Sequence, residues 1–251
     1  MFSQSIADDV KYAFEDSNLK NIQWGTFLSH DPTSILTYGG DQKLVLSQGD
    51  CPNGTGPVQD MTFWTVTETD LSMSGLALRK FFDIDKTTGY AGIWFSKTYP
   101  DGKAVNQLVK FTYSPYMFDS EDPLYFSTNN FDQCVYLYDL GYNPDSEAPS
   151  IAQYDLMVCI GDKTATPEAK IQDDTWPKAV YVYQILKDQW RLAANKIYVS
   201  SELENLCPVN LTMKSFDHNF LMTSRCPGDA RTSVVGINLN PDTLEIDSID
   251  W

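Results

Sequence analysis

Short runs of Val, Ile, Leu, Tyr and Phe recur along the whole chain, separated by clusters of Gly, Asn, Asp and Pro. Runs of this length bounded by turn formers are the pattern of β-strands, whose side chains alternate between two faces. Helical spacing is confined to the opening stretch, where Phe2, Ile6, Val10 and Phe14 fall four apart, and even there Val10, Tyr12 and Phe14 alternate as a strand would. The pattern predicts an all-β protein.

The strongest runs are KLVLSQ from Lys43, AGIWFS from Ala91, CVYLYD from Cys134, AVYVYQ from Ala179 and SVVGIN from Ser233, with starts 48, 43, 45 and 54 residues apart. Each follows another apolar run and a turn (SILTYGG, LALRKFF, PLYFST, DLMVCIG and NFLMTS), so the unit is a hairpin. Further runs, MTFWTV, NQLVKFTY and WRLAANKIYV, supply a third or fourth strand. A four-stranded strip cannot bury both faces alone and must stack on its neighbours, as the blades of a β-propeller do. About five such units fit in 251 residues, so the expected architecture is one domain over residues 1–251, a propeller of about five blades. An incomplete N-terminal unit (VKYAFED, NIQWGTF) is expected to pair with the final TLEIDSIDW and close the ring. A β-sandwich with evenly spaced strands is the alternative.

Charge narrows the partners. The 34 acidic residues outweigh 18 basic ones and leave a formal charge of -16, a field that repels phosphate backbones, so nucleic acid is excluded. No stretch approaches the roughly 18 uninterrupted apolar residues of a spanning helix, which predicts no membrane insertion. Residues Met1 to Asp16 lack a basic region followed by an apolar one, so no signal peptide is visible in this chain.

Of the cysteines, Cys51, Cys134, Cys159, Cys207 and Cys226, none forms the short paired spacing of a zinc site. Cys207 and Cys226 flank an apparent hairpin and are the expected disulfide, while Asn53-Gly54-Thr55 and Asn210-Leu211-Thr212 are N-glycosylation sequons. Together they point to an extracellular or surface-exposed location.

Catalytic signatures are scarce. The two histidines, His30 and His218, stand in no triad or metal motif, and no nucleophile elbow, phosphate loop or dinucleotide fingerprint occurs. No catalytic residue is assigned. The enzymatic alternative is a carboxylate-based glycoside hydrolase drawing on Asp41, Asp83, Asp132 or Asp155, which needs two carboxyls about 5 to 9.5 Å apart. Asp83 and Asp85, with Gly89, match the start of a calcium loop, yet the later acidic ligands are missing and the same residues make an ordinary hairpin turn. Calcium is the one cofactor the pattern allows. Aromatic side chains are the better ligand candidates, because their faces stack on sugars or anchor protein partners. Trp64, Trp94, Tyr116 and Trp176 are singled out, although most large aromatics of stacked sheets are core. Trp176 lies in the polar stretch KTATPEAKIQDDTWPK, the expected binding loop.

The stretch AVYVYQILKDQWRLAANKIYV, followed by FDHNFLMTSRC and SVVGIN, resembles the blades of FG-GAP or integrin-type propellers, which read as VYVY, a turn, a Trp and an apolar pair. AGIWFSKTYPDGKAVNQLVKF is a looser second copy. The Phe-Gly and Gly-Ala-Pro signatures are missing, since Phe216-Asp217 and Val235-Gly236-Ile237 stand where they would fall, and small lectin propellers are similar in the same features. The resemblance implies a blade. With the missing catalytic motifs, it leads to the expectation of a non-catalytic binding module that takes carbohydrate or a protein partner through loops at one end of a ring. A structural subunit of an extracellular fibre or virion is the third reading.

Overall fold

A computed structural model describes residues 22–30, 33–39, 43–49, 58–65, 77–85, 90–101, 103–114, 117–120, 123–138, 140, 152–163, 176–212 and 219–250. Among them the regular structure is strand, with one 3₁₀ turn at Ser200–Leu203. The strands are β1 (Ile22–His30), β2 (Thr33–Gly39), β3 (Lys43–Gly49), β4 (Val58–Thr65), β5 (Ala77–Asp85), β6 (Tyr90–Thr98), β7 (Ala104–Ser114), β8 (Met117–Ser120) and β9 (Leu124–Ser127). They continue as β10 (Phe131–Leu137), β11 (Tyr154–Asp162), β12 (Lys178–Leu186), β13 (Arg191–Tyr198), β14 (Pro208–Thr212), β15 (Phe220–Ser224), β16 (Ser233–Leu239) and β17 (Ile246–Asp250).

The protein is all-β, and each sheet takes its strands in chain order: β1-β2-β3-β4, β5-β6-β7-β8 with β9 also on β7, β10-β11-β12-β13, and β14-β15-β16-β17. β8 pairs with Phe111–Ser114 of β7 and β9 with Asn106–Leu108, so the two short strands follow one another along one edge of β7. Pro123, which has no N–H to give to a ladder, stands at the break between them. The second sheet is therefore also a four-stranded meander whose outer strand is interrupted.

One hairpin expected from the sequence is paired differently, and two runs expected to begin separate units share a sheet. CVYLYD and AVYVYQ, read as the starts of separate units, are β10 and β12 of one sheet with β11 between them, so the five aligned runs mark four sheets. PLYFST, read as the partner of CVYLYD, is β9 and pairs with β7. The reason is connection length: a long link between β10 and β11 stretches two strands of one sheet to the spacing of a whole repeat. NIQWGTF is β1 and pairs with β2 rather than with the final strand, while β17 pairs with β16. VKYAFED lies outside the described residues.

By packing, the chain falls into two compact units, one of residues 1–77, 85–93 and 109–123, the other of residues 78–84, 94–108 and 124–251. The second unit carries the core described below. Its centre is β12, where AVYVYQIL is buried along nearly its whole length. Strand alternation sends Val180 and Val182 to one face and Tyr181 and Tyr183 to the other. The valine face joins Leu156, Val158 and Ile160 of β11 to Leu211, Phe220, Met222, Val235 and Ile237 of the fourth sheet in one apolar cluster. Each such fully buried side chain contributes about 1.5–3 kcal/mol. On the tyrosine face, Phe131 stacks on Phe126 and meets Tyr181 and Tyr183 edge-on, with Trp94 tilted beside it.

Side-chain amides tie the layers together. Gln133 Nε2 donates to the Leu211 carbonyl at 2.6 Å and Gln133 Oε1 accepts from Leu211 N–H at 2.9 Å, so one side chain imitates a strand neighbour for β14. Gln184 Nε2 donates to the carbonyls of Pro241 and Asp242, fastening the β16–β17 turn to β12. Asn240 Oδ1 closes that turn by accepting from the N–H groups of Asp242 and Thr243.

Cys207 and Cys226, 19 residues apart, are bonded across the base of the β14–β15 hairpin, where Arg225 N–H also donates to the Cys207 carbonyl. A second disulfide, Cys134–Cys159, joins directly opposed residues of β10 and β11. Two disulfides are consistent with an oxidising, extracellular setting. Among the described residues no helix is long and apolar enough to cross a membrane.

Candidate functional site

In the second unit, β12 and β13 floor a hollow of about 280 Å³. Register makes the floor: Tyr181 lies opposite Ile197 and Tyr183 opposite Asn195, so these four side chains share one face of the strand pair. The wall is the segment Phe126–Asn129, where β9 ends and the chain turns toward β10.

That wall has its own support. Asn106 of β7, 1% exposed, donates through Nδ2 to the carbonyls of Ser127 at 3.1 Å and Asn129 at 2.7 Å, and its Oδ1 accepts from Trp94 Nε1–H at 3.1 Å. Arg79 stacks its guanidinium 5.2 Å over the Trp94 ring and donates to the Phe131 carbonyl. The chain Trp94–Asn106–wall thus places the turn without a regular ladder at its tip.

Polar groups converge on the hollow. Tyr183 Oη donates to Ser127 Oγ at 2.8 Å, and the same Oγ accepts from Asn129 N–H at 3.1 Å. Tyr181 Oη donates to the Asp162 carbonyl. Asn129 is 4% exposed, and its Oδ1 finds no hydrogen-bond partner among the described residues. Asn195 and Thr128 stand exposed at the rim. Lys196 is held by Glu245 Oε2 at 2.6 Å and lies over the Tyr198 ring, so its charge is already matched.

Burial pushes the Tyr183 hydroxyl up to about 12, against the partial opposition of hydrogen bonds with Ser127 and Asn129. A folded-state value above the unfolded value near 10 means the folded protein keeps a proton that the unfolded chain has lost. The associated stability is fully present below about pH 10 and is lost as pH rises from about 10 to 12, up to about 3 kcal/mol. Urea midpoints measured across that window are expected to fall steeply in the parent protein and more gently in Tyr183→Phe. Equal slopes would refute the assignment.

The sequence-chosen residues scatter around this hollow. Trp94 is 2% exposed and stands behind the wall, bonded to Asn106. Trp176 is half-buried, with Nε1 donating to the Pro208 carbonyl, and residues 164–175 of its expected loop lie outside the described residues. Trp64 is a residue of β4, and Tyr116 lies outside the described residues. Asp83 and Asp85 belong to β5, which ends at Asp85, and residues 86–89 of the calcium-loop match lie outside the described residues. Among the described residues no group of three or more His, Cys, Asp or Glu could hold a metal ion.

Asn210 is exposed on β14, its Oδ1 accepting from Leu211 N–H, whereas Asn53 lies outside the described residues. His30 ends β1, and His218 and Asp41 lie outside the described residues. Asp132 and Asp155 stand toward opposite ends of the β10–β11 pair. Six residues of strand at about 3.4 Å each separate them by roughly 20 Å, too far for a glycosidase pair. Each is ion-paired, Asp132 with Lys178 and Asp155 with Lys187.

Sequence reading did not single out Tyr181, Tyr183, Asn106 or Asn129. For the tyrosines a signal was present: in AVYVYQ the hydroxyl-bearing residues all fall on one parity, which marks a strand buried on two unlike faces. For the asparagines there was none, since the same residue type fills turns throughout the chain. No protein-family model matches the chain, and no curated protein matches it.

Proposed function

We propose that this protein is a non-catalytic binding module, taking a carbohydrate or a protein partner outside the cell, and that the hollow over β12 and β13 is its ligand seat. The observation that carries the reading is the composition of that seat: aromatic rings, a hydroxyl pair and side-chain amides around a space of about 280 Å³, with the ammonium of the one charged lining residue, Lys196, bound to Glu245 on the opposite face of the strand pair. Such a lining holds and orients a small group, the usual make-up of ligand pockets. The four successive meanders favour stacked blades over a sandwich, because sandwiches exchange strands between their sheets through Greek-key links.

Asn195, exposed at the rim, is the position to block. Immobilised parent protein probed with glycan and peptide arrays is expected to retain one ligand class that Asn195→Arg loses, with both proteins unfolding at the same temperature. Retention of nothing by the parent, or equal retention by the variant, would overturn the assignment.

A further inference from the structure

We infer that the group seated in the hollow is a single neutral, hydroxyl-bearing ring of monosaccharide size. This rests on the reading of the hollow as the binding site and adds the chemistry of what enters it.

Three observations converge. The volume of about 280 Å³ lies just below the range of about 300–1,000 Å³ typical of small-molecule pockets, which suits one ring and not a folded peptide segment. Charge is balanced: Lys196, the single charged residue of the lining, is occupied by Glu245, and the protein carries -16 overall, so an anion finds no free cation there and meets a repelling field. A cation finds no carboxylate among the lining residues.

The third observation is the rim. Thr128 and Asn195 line the hollow and stand exposed. Asn195 offers both a donor and an acceptor to a ligand hydroxyl, and Thr128 adds a hydroxyl of its own. Phe126 and Ile197 complete the lining with apolar surface suited to the C–H face of a sugar ring. A purely apolar ligand would strip water from both rim groups and replace none of its hydrogen bonds.

The test titrates the intact, disulfide-bonded protein with methyl glycosides of glucose, galactose, mannose and N-acetylglucosamine, followed by amide chemical shifts. Inorganic phosphate and N-acetyltyrosinamide serve as non-sugar probes. At least one glycoside is expected to move the signals of residues 127–129 and 195–197, and Asn195→Ala to weaken it by about tenfold. Thr128→Val, at the other exposed rim position, is expected to weaken it in the same direction while both variants unfold at the parent's temperature. Movement of these signals by phosphate or the tyrosine amide alone overturns the sugar assignment and leaves the binding seat standing. If no probe moves them, the inference falls, and the arrays described above decide separately whether the seat holds a larger ligand.

Discussion

Replacing Asp155 by alanine is expected to lower the unfolding free energy by about 3 to 5 kcal/mol, the range for removing one member of a buried ion pair. Asp155 is 2% exposed on β11. Its Oδ2 accepts from Tyr136 Oη at 2.8 Å, and its Oδ1 faces Lys187 Nζ at 3.2 Å as an ion pair rather than an aligned hydrogen bond. Burial, and then the Asp155 charge, hold the Tyr136 hydroxyl well above its ordinary pKa, so it stays a donor at all working pH values. In Asp155→Ala that hydroxyl loses this acceptor, and the half-buried ammonium loses this counter-charge.

Companion variants separate these contributions. Asp155→Asn keeps an acceptor for Tyr136 and is expected to lose less than the alanine variant. Lys187→Met removes the ammonium from the buried carboxylate, which keeps its bond from Tyr136. The double variant Asp155→Leu, Lys187→Met removes both charges and should recover much of the loss, since paired buried ions replaced together by apolar groups are often neutral. Urea unfolding followed by tryptophan fluorescence gives all four values. Asp155→Ala within about 1 kcal/mol of the parent would show the pair to be dispensable.

The second large effect is at Asn106. Asn106→Leu preserves approximate volume but leaves the Trp94 indole N–H and the carbonyls of Ser127 and Asn129 without their partner, at about 1–3 kcal/mol for each buried group, so a loss of about 3 kcal/mol or more is expected. Asn106→Asp is the sharper comparison. The carboxylate can still accept from the indole, but it turns an acceptor toward the two wall carbonyls where the amide had a donor, and its charge is buried. Its loss should equal or exceed that of the leucine variant. The same substitutions release the Phe126–Asn129 wall, so amide signals of residues 127–129 should broaden or shift even where the protein remains folded. An Asn106→Asp protein as stable as the parent, with an unchanged wall, would remove this residue from the account of the site.

The neighbouring constraint at Gly161 shows how tightly the wall is set. A Cβ there would lie 2.4 Å from the Asn130 carbonyl oxygen and 2.8 Å from Phe131 Cδ1, inside contact distance for both. The glycine is needed for close approach, since β11 passes directly against the start of β10 at this pair.

Much of the fold was legible in the chain because its cause is local. Alternation of apolar and polar residues sets which stretches become strands, and Asn240-Pro241-Asp242-Thr243 makes its turn with groups two or three residues apart. The Cys207–Cys226 bridge closes a hairpin of neighbouring strands, so proximity along the chain anticipated proximity in space. Cys134–Cys159 needs the register of β10 on β11 across a long connection, which no local pattern encodes.

Residue type singled out Trp94, but its burial and its bond to Asn106 behind the wall depend on strands that meet only in the folded chain. Likewise the equal spacing of CVYLYD and AVYVYQ says nothing about whether they begin two sheets or lie two strands apart in one. Strand content, turn positions and an acidic surface therefore follow from the order of residues, because each depends on interactions over a few residues or on a simple sum of charges. The grouping of strands into sheets, the pairing of opposed faces and the assembly of the hollow from β7, β9, β12 and β13 were decided only on folding, because they depend on which distant surfaces exclude water from one another most completely.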